Sequence, residues 1–390
     1  MNFLRLLTPL GLFLLLMYGI LSRMVSEEEY ALQISENSYN LESYEDDVNN
    51  NIYPTEILQD NELEPKHYIP PDFYISDYDY AKLVYFSKCC GLSNCIGEHG
   101  LREGLSLNEG ACPSYINFCY DENVNPTVSR TRIELIMEAD KGELGTGYVM
   151  VDHGRKVIVI AFRGSSTRQD WYSDFEIYPT RYVPGSMSEY IDLIRSGKIR
   201  PCKGCKMHRG FYRFKQSLGK HFLRKVEKIF AIYSDYNLVV TGHSLGAAIA
   251  SMLGIELKLK GYNPLVLTYA TPKMFNKEMK EWVNELFNIK KIHDKNLKRN
   301  RLDLKGGYYR VIHTGDYIPM LPPKFEEAGL EIFIKKLELP HLVGDLEYRG
   351  IEKTIIDGRL PGYAATNANK WLHTDEHRSY FISIQGCKNF

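Results

Sequence analysis

The chain has 390 residues, 44% hydrophobic, enough apolar material to bury a large core as one big α/β domain or two small ones. Its net charge of −1 conceals an asymmetry: residues 24–65 hold twelve Asp/Glu and no Lys or Arg, while residues 66–390 hold 46 Lys/Arg against 37 Asp/Glu. That basic excess lacks the interleaved aromatics or the module of a nucleic-acid binder, so nucleic acid is set aside as a partner. It serves either solubility or attraction to anionic surfaces.

Taken from the start, Leu6 to Ser22 carries no charge, between Arg5 and Arg23. Residues 1–23 therefore read as a signal peptide or a signal anchor, and either one puts the rest outside the cytosol. Residues 24–70, acidic and Asn-rich up to Pro65 and closed by Pro70-Pro71, read as a disordered stalk or pro-segment. The eight cysteines are Cys89, Cys90, Cys95, Cys112, Cys119, Cys202, Cys205 and Cys387. An even set of this kind suits disulfides in an oxidising compartment. A metal reading of Cys202 and Cys205 would need a second pair at matching spacing, and adjacent Cys89-Cys90 suits zinc poorly, so no metal is expected.

The folded domain is expected over residues 71–390. Phe73, Tyr80, Leu83 and Val84 recur at helical spacing and predict a helix from Asp72 to Ser87. Residues 88–120 predict a disulfide-held loop. Residues 132–137 alternate like a strand, and residues 147–152 and 156–162 predict a hairpin turning at His153-Gly154. The second hairpin strand is apolar on both faces, as in a central strand, and runs out into Arg163-Gly164-Ser165-Ser166. An amphipathic helix is expected over 211–233, a buried strand over 265–270, a helix over 277–286 and a strand over 308–314. Helices and strands thus alternate, which predicts a mostly parallel central sheet covered by helices, with active residues at strand ends.

Within that pattern, Leu238-Val239-Val240 leads into Gly242-His-Ser244-Leu-Gly246, and a helical stretch follows to Leu259. Strand, tight turn and helix are the setting of a nucleophile elbow. Glycines at 242 and 246 let strand and helix approach, Ser244 is pushed above the sheet, and the Leu245 N–H is free to face an oxyanion. A glycine-rich turn around an ordinary N-cap serine would carry the same triplet. A serine nucleophile needs a base, and the base needs a carboxylate. Asp316 follows the strand 308–314 immediately, where such a carboxylate belongs, although a turn or capping Asp also fits. Chain order of serine, acid and histidine leaves His341, His373 and His377 as bases.

Several motifs then align with one family. The chain resembles the fungal class 3 triacylglycerol lipases, the filamentous-fungus group of the α/β-hydrolase fold. The resemblance rests on Ile160-Ala-Phe-Arg-Gly-Ser-Ser166, on Cys202-x-x-Cys205 with His208-Arg-Gly-Phe211, and on Asp235-Tyr236 ahead of the elbow. It continues in Tyr309 to Asp316 with Pro319-Met-Leu-Pro-Pro323, and in His377-Arg-Ser-Tyr-Phe381 with Gly386-Cys387. It implies Ser244 as nucleophile, Asp316 as acid and His377 as base. Ser165 and the Leu245 N–H would form the oxyanion hole. It further implies disulfides Cys202–Cys205 and Cys90–Cys387. Cys89, Cys95, Cys112 and Cys119 exceed the family set, and 182–201 and the Lys/Arg-rich 289–307 look like insertions.

In such lipases a short helix after the oxyanion serine covers the site. Here Trp171, Tyr172 and Phe175 would form the apolar face of that lid, with Arg168, Asp170 and Asp174 toward water. The expected activity is serine ester hydrolysis, on triacylglycerols at a lipid–water interface, with no cofactor. The alternatives are a phospholipase, a carboxylesterase or feruloyl-esterase-like enzyme on more soluble esters, and an inactive lipase-like binding protein.

Overall fold

A computed structural model describes residues 69–97, 100–137, 146–164, 178–351 and 374–390, with the backbone alone described at 213–222. The expected leader, the acidic residues 24–65, Ser165, His373 and the expected lid residues Trp171, Tyr172 and Phe175 lie outside the described residues.

The first helix, α1, spans Asp77–Leu92 rather than 72–87. Its start is set by Ser76, whose side chain accepts from the Asp79 N–H. Residues before it are drawn off as an extended bridge between Tyr74 and Arg301. Its end moves outward because Cys89, Cys90 and Leu92 lie on its buried face. The two adjacent cysteines therefore belong to a helix and not to the expected loop.

Strands β1 (Thr131–Met137), β2 (Gly147–Asp152) and β3 (Val157–Phe162) form an antiparallel meander, as the alternation and the turn at His153-Gly154 predict. A two-stranded ribbon of β4 (Pro179–Arg181) and β5 (Lys206–His208) flanks α2 (Met187–Arg195) and leads into α3 (Arg209–Ile232). Then come β6 (Asn237–His243), α4 (Leu245–Leu259), β7 (Leu265–Tyr269), α5 (Lys277–Leu286), α6 (Ile289–Arg299) and β8 (Gly307–His313). The chain closes with β9 (Leu330–Ile334), β10 (Leu346–Gly350), the one-turn α7 (Asp375–Arg378), and the short pair β11 (Ser379–Tyr380) and β12 (Ile382–Ser383).

The central sheet has eight strands in the order β1-β2-β3-β6-β7-β8-β9-β10. From β3 to β9 the neighbours run parallel, and only the two margins are antiparallel. This is the α/β-hydrolase arrangement, mostly parallel and covered by helices. All six residues of β3 and all seven of β8 are buried, because helices cover both faces of a parallel sheet. Helix α4 is buried almost all round, so its apolar run reflects position in the core and not one amphipathic face. In the insertions, 182–201 supplies α2 and 289–307 supplies α6 and the approach to β8.

The disulfide expected between Cys90 and Cys387 is corrected. Cys387 bonds Cys95, across a sequence separation of 292 residues. Cys90 points the other way, into the sheet, with its Sγ 3.3 Å from Thr241 Oγ1. Burial pushes its thiol up to about 12, so it sits there as a small apolar group. Cys95 lies just beyond the end of α1, where the last residues of the chain pass. Cys202–Cys205 forms as the resemblance implies, and Cys112 pairs with Cys119. Cys89 and Cys90 are free and buried.

Candidate active site

Ser244 and Asp316 lie just past the carboxyl ends of the parallel strands β6 and β8. Strand β6 delivers Ser244 through a turn in which the serine takes φ 57° and ψ −123°. A non-glycine residue holds such a conformation only when its surroundings over-determine it. Here a Cβ on Gly242 would strike the Gly246 carbonyl, and a Cβ on Gly246 would strike the carbonyl of Phe162 at the end of β3. The elbow thus packs backbone against backbone on both sides. Leu245 opens α4, so its N–H is one of the helix-terminal donors without an intrahelical acceptor.

Gly164 approaches the same turn. A Cβ there would lie 3.1 Å from the His243 carbonyl oxygen and 3.6 Å from Ser244 Cβ. The chain leaving β3 therefore passes beside the serine one residue before Ser165.

Strand β8 ends at His313, and Asp316 follows three residues later, fully buried. Helix α7 carries His377, 2% exposed, and Thr374 caps that helix by accepting from the His377 N–H at 3.2 Å. His377 Nδ1 lies 3.0 Å from each Asp316 carboxylate oxygen, and its Nε2 lies 3.0 Å from Ser244 Oγ. With Nδ1–H donating to Asp316, the Nε2 lone pair is left to accept from the Ser244 hydroxyl. Of the three histidines that chain order allowed, His377 occupies this place. His341 instead packs against His313, with ring centroids 4.8 Å apart, and accepts from the Phe381 N–H at 3.2 Å.

The sequence also matches known proteins. Residues 159–326 match the family described as "Lipase (class 3)". Over 315 residues the chain is 53% identical to "Putative lipase LIH1" of Saccharomyces cerevisiae, covering 80% of this chain and 96% of that protein. It is 26% identical to "Lipase A" of Sodiomyces alcalophilus, over 68% of this chain and 65% of that one. The chain belongs to the class 3 lipase family. Its fold is shared with the Lip2 lipase of Yarrowia lipolytica, TM-score 0.60 at 21% identity, over 80% of this chain and 96% of that one. It is shared equally with the mono- and diacylglycerol lipase of Aspergillus oryzae, TM-score 0.58 at 23% identity, over 80% and 99%.

Within this member of the family, the electrostatics follow from burial and three donors. Burial by itself raises the Asp316 carboxyl, but the adjacent His377 and the hydrogen bonds from His377, Tyr380 and the Ile318 N–H outweigh it and hold it below the usual range. The Tyr380 hydroxyl donates to Asp316 Oδ2 at 2.6 Å, and burial, reinforced by the Asp316 charge, keeps that phenol protonated. Asp316 thus stays an anion in an apolar setting, able to orient His377 and to face an imidazolium.

Three contributors escape a reading of the sequence. Tyr380 sits in an apolar run, and the one signal for it is its spacing of three residues after His377. His243 occupies the variable position of the elbow triplet, and its Nε2 donates to the His377 carbonyl oxygen at 2.7 Å. Burial first, then the neighbouring His377, pushes the His243 ring down to about 3, so it is neutral. His313 is the third. His208, in the motif before α3, is buried between Phe211 and Phe325, and burial lowers it to about 4.

Proposed function

We propose that this lipase-family enzyme cleaves carboxylic esters with Ser244 as nucleophile, His377 as base and Asp316 as the acid that orients it. The observation carrying this reading is the continuous chain from Ser244 Oγ through His377 to Asp316, with both links at 3.0 Å. As Ser244 Oγ attacks the acyl carbon, its proton passes to His377 Nε2. The charge on the carbonyl oxygen is met by the Leu245 N–H, with Ser165 as the second contributor. Collapse of the tetrahedral species releases the alcohol, which takes the proton from His377 and leaves an acyl-Ser244 ester. Water, deprotonated by His377, then frees the acid and restores the serine.

The substrate is proposed to be an acylglycerol at a lipid surface, triacylglycerol first, with Trp171, Tyr172 and Phe175 as the apolar face of a lid. A preference for mono- and diacylglycerols is the second reading, supported by relatives named secreted mono- and diacylglycerol lipases in Gibberella zeae and Penicillium cyclopium. Those names, the apolar leader and the three disulfides support a place outside the cytosol.

A fluorophosphonate probe tests the chemistry, and a panel of emulsified tri-, di- and monoacylglycerols, phospholipids and dissolved short esters tests the substrate. Labelling at Ser244, with a rate that climbs when triacylglycerol forms an emulsion, is expected. Labelling with a smooth response through the solubility limit would replace the lipase reading with a carboxylesterase. No labelling and no turnover would favour a binding protein.

A further inference from the structure

The helix that carries His377 is a single turn, Asp375–Arg378, too short to satisfy its own carbonyl groups. Two consecutive carbonyls of that turn are nevertheless satisfied, and both acceptors meet buried imidazoles. The Glu376 oxygen lies 2.8 Å from His313 Nδ1, and the His377 oxygen lies 2.7 Å from His243 Nε2. One ring comes from the end of β8 and the other from the end of β6. These strands also deliver Asp316 and Ser244.

The two rings differ. His243 makes one donation, which a neutral tautomer supplies. His313 has a carbonyl at each end, because its Nε2 also lies 2.8 Å from the Lys336 oxygen on the loop after β9. Carbonyl oxygens only accept, so a neutral imidazole would direct a lone pair at one of them. Only the doubly protonated ring donates to both. His313 is fully buried, so that charge would be met by the two carbonyl oxygens themselves and, beyond them, by the Tyr380–Asp316 pair. The ring's centroid lies 4.8 Å from that of His341 and 5.8 Å from that of Tyr380, while its own backbone N–H donates to the Tyr380 hydroxyl at 3.2 Å. That hydroxyl in turn donates to Asp316.

We propose that His243 and His313 are positioning residues that clamp the His377 turn from two strands, and that His313 does so as an imidazolium. The clamp sets how far His377 stands from Ser244 and from Asp316, and so it rests on the triad reading above. The chemistry predicts an asymmetry between the two positions. A glutamine amide can make the single donation of His243, but it cannot bridge two carbonyls that lie at opposite ends of an imidazole ring.

The test compares H243Q, H243F, H313Q and H313F on a dissolved short ester, with fluorophosphonate labelling rates alongside. H243F, H313Q and H313F should lose about 10- to 100-fold in kcat with KM within about twofold, the effect of a misplaced base. H243Q should recover most of the H243F loss. Imidazole 15N–1H spectra of the unmutated protein at neutral pH should contain one slowly exchanging ring with both nitrogens protonated, and that signal should vanish in H313Q. The spectra need no variant to decide the charge: a His313 ring with a single N–H overturns it. A folded H313F that turns over and labels at the unmutated rate overturns the clamp while leaving the triad intact. Activity surviving in Ser244→Ala would remove the triad itself, and with it the catalytic meaning of the clamp.

Discussion

Strand β8 places two buried charged networks close together, one within the strand and one just past its end, and their chemistry differs. In its middle, Arg310 is 2% exposed, with Glu327 Oε2 at 2.7 Å and Glu331 Oε2 at 3.4 Å. Arg349 from β10 approaches Glu331 Oε1 at 3.6 Å. Just past its end, Asp316 meets His377, whose far nitrogen reaches Ser244. Both networks offset the cost of burying a carboxylate by surrounding it with donors. In the first the cation is a guanidinium, which does not give up its proton, so the network can only hold β8, β9 and β10 together. In the second it is an imidazole, whose proton can leave and return, and one end of the chain is an alcohol. Burial and pairing alone do not point to catalysis; a titratable partner facing a hydroxyl, as at Ser244, is what supports the proposed site.

The widest separation between the two networks should come from Ser244→Ala, which is expected to lower kcat on the order of 10⁶-fold while the thermal midpoint stays put. Fluorophosphonate labelling and calorimetry on the same preparation check both halves. The reverse pattern is expected of Arg310→Met. It leaves Glu327 and Glu331 buried without their shared cation, a loss of about 3–5 kcal/mol, read as a melting temperature lower by roughly 5–10 °C with kcat nearly unchanged in the folded fraction.

Tyr380→Phe sharpens the comparison from the catalytic side. It deletes one hydrogen bond to a buried anion, worth about 1.5–3 kcal/mol, and should reduce kcat about 10- to 100-fold with KM unchanged. A rise in KM with kcat unchanged would place Tyr380 in substrate binding instead. The smallest effect is the acid response. Asp316 titrates lower in the folded chain than in the unfolded one, so the unfolded chain binds more protons as the pH falls through the ordinary carboxylate range. The stability it contributes is present above that range and lost below it. The difference in melting temperature between the unmutated protein and Asp316→Asn should shrink as the medium is acidified, and a gap that widens would contradict the lowered carboxyl.

Much of this protein was legible in its residues because the relevant information is local. Apolar runs announced β3, β6 and β7, since a strand covered on both faces has no polar side to show. The elbow was legible because close backbone approach demands glycine at Gly242 and Gly246, a steric rule confined to five residues. Chain order narrowed the base to His341, His373 and His377, and the resemblance singled out His377. What needed the tertiary structure involves pairs distant along the chain. Cys90 and Cys95 are five residues apart, and only the direction in which α1 faces the sheet decides that Cys90 meets Thr241 while Cys95 meets Cys387. Tyr380, His243 and His313 belong to types and spacings that a packed core also uses. Their roles come from which carbonyl or carboxylate each one faces, and folding alone settles that.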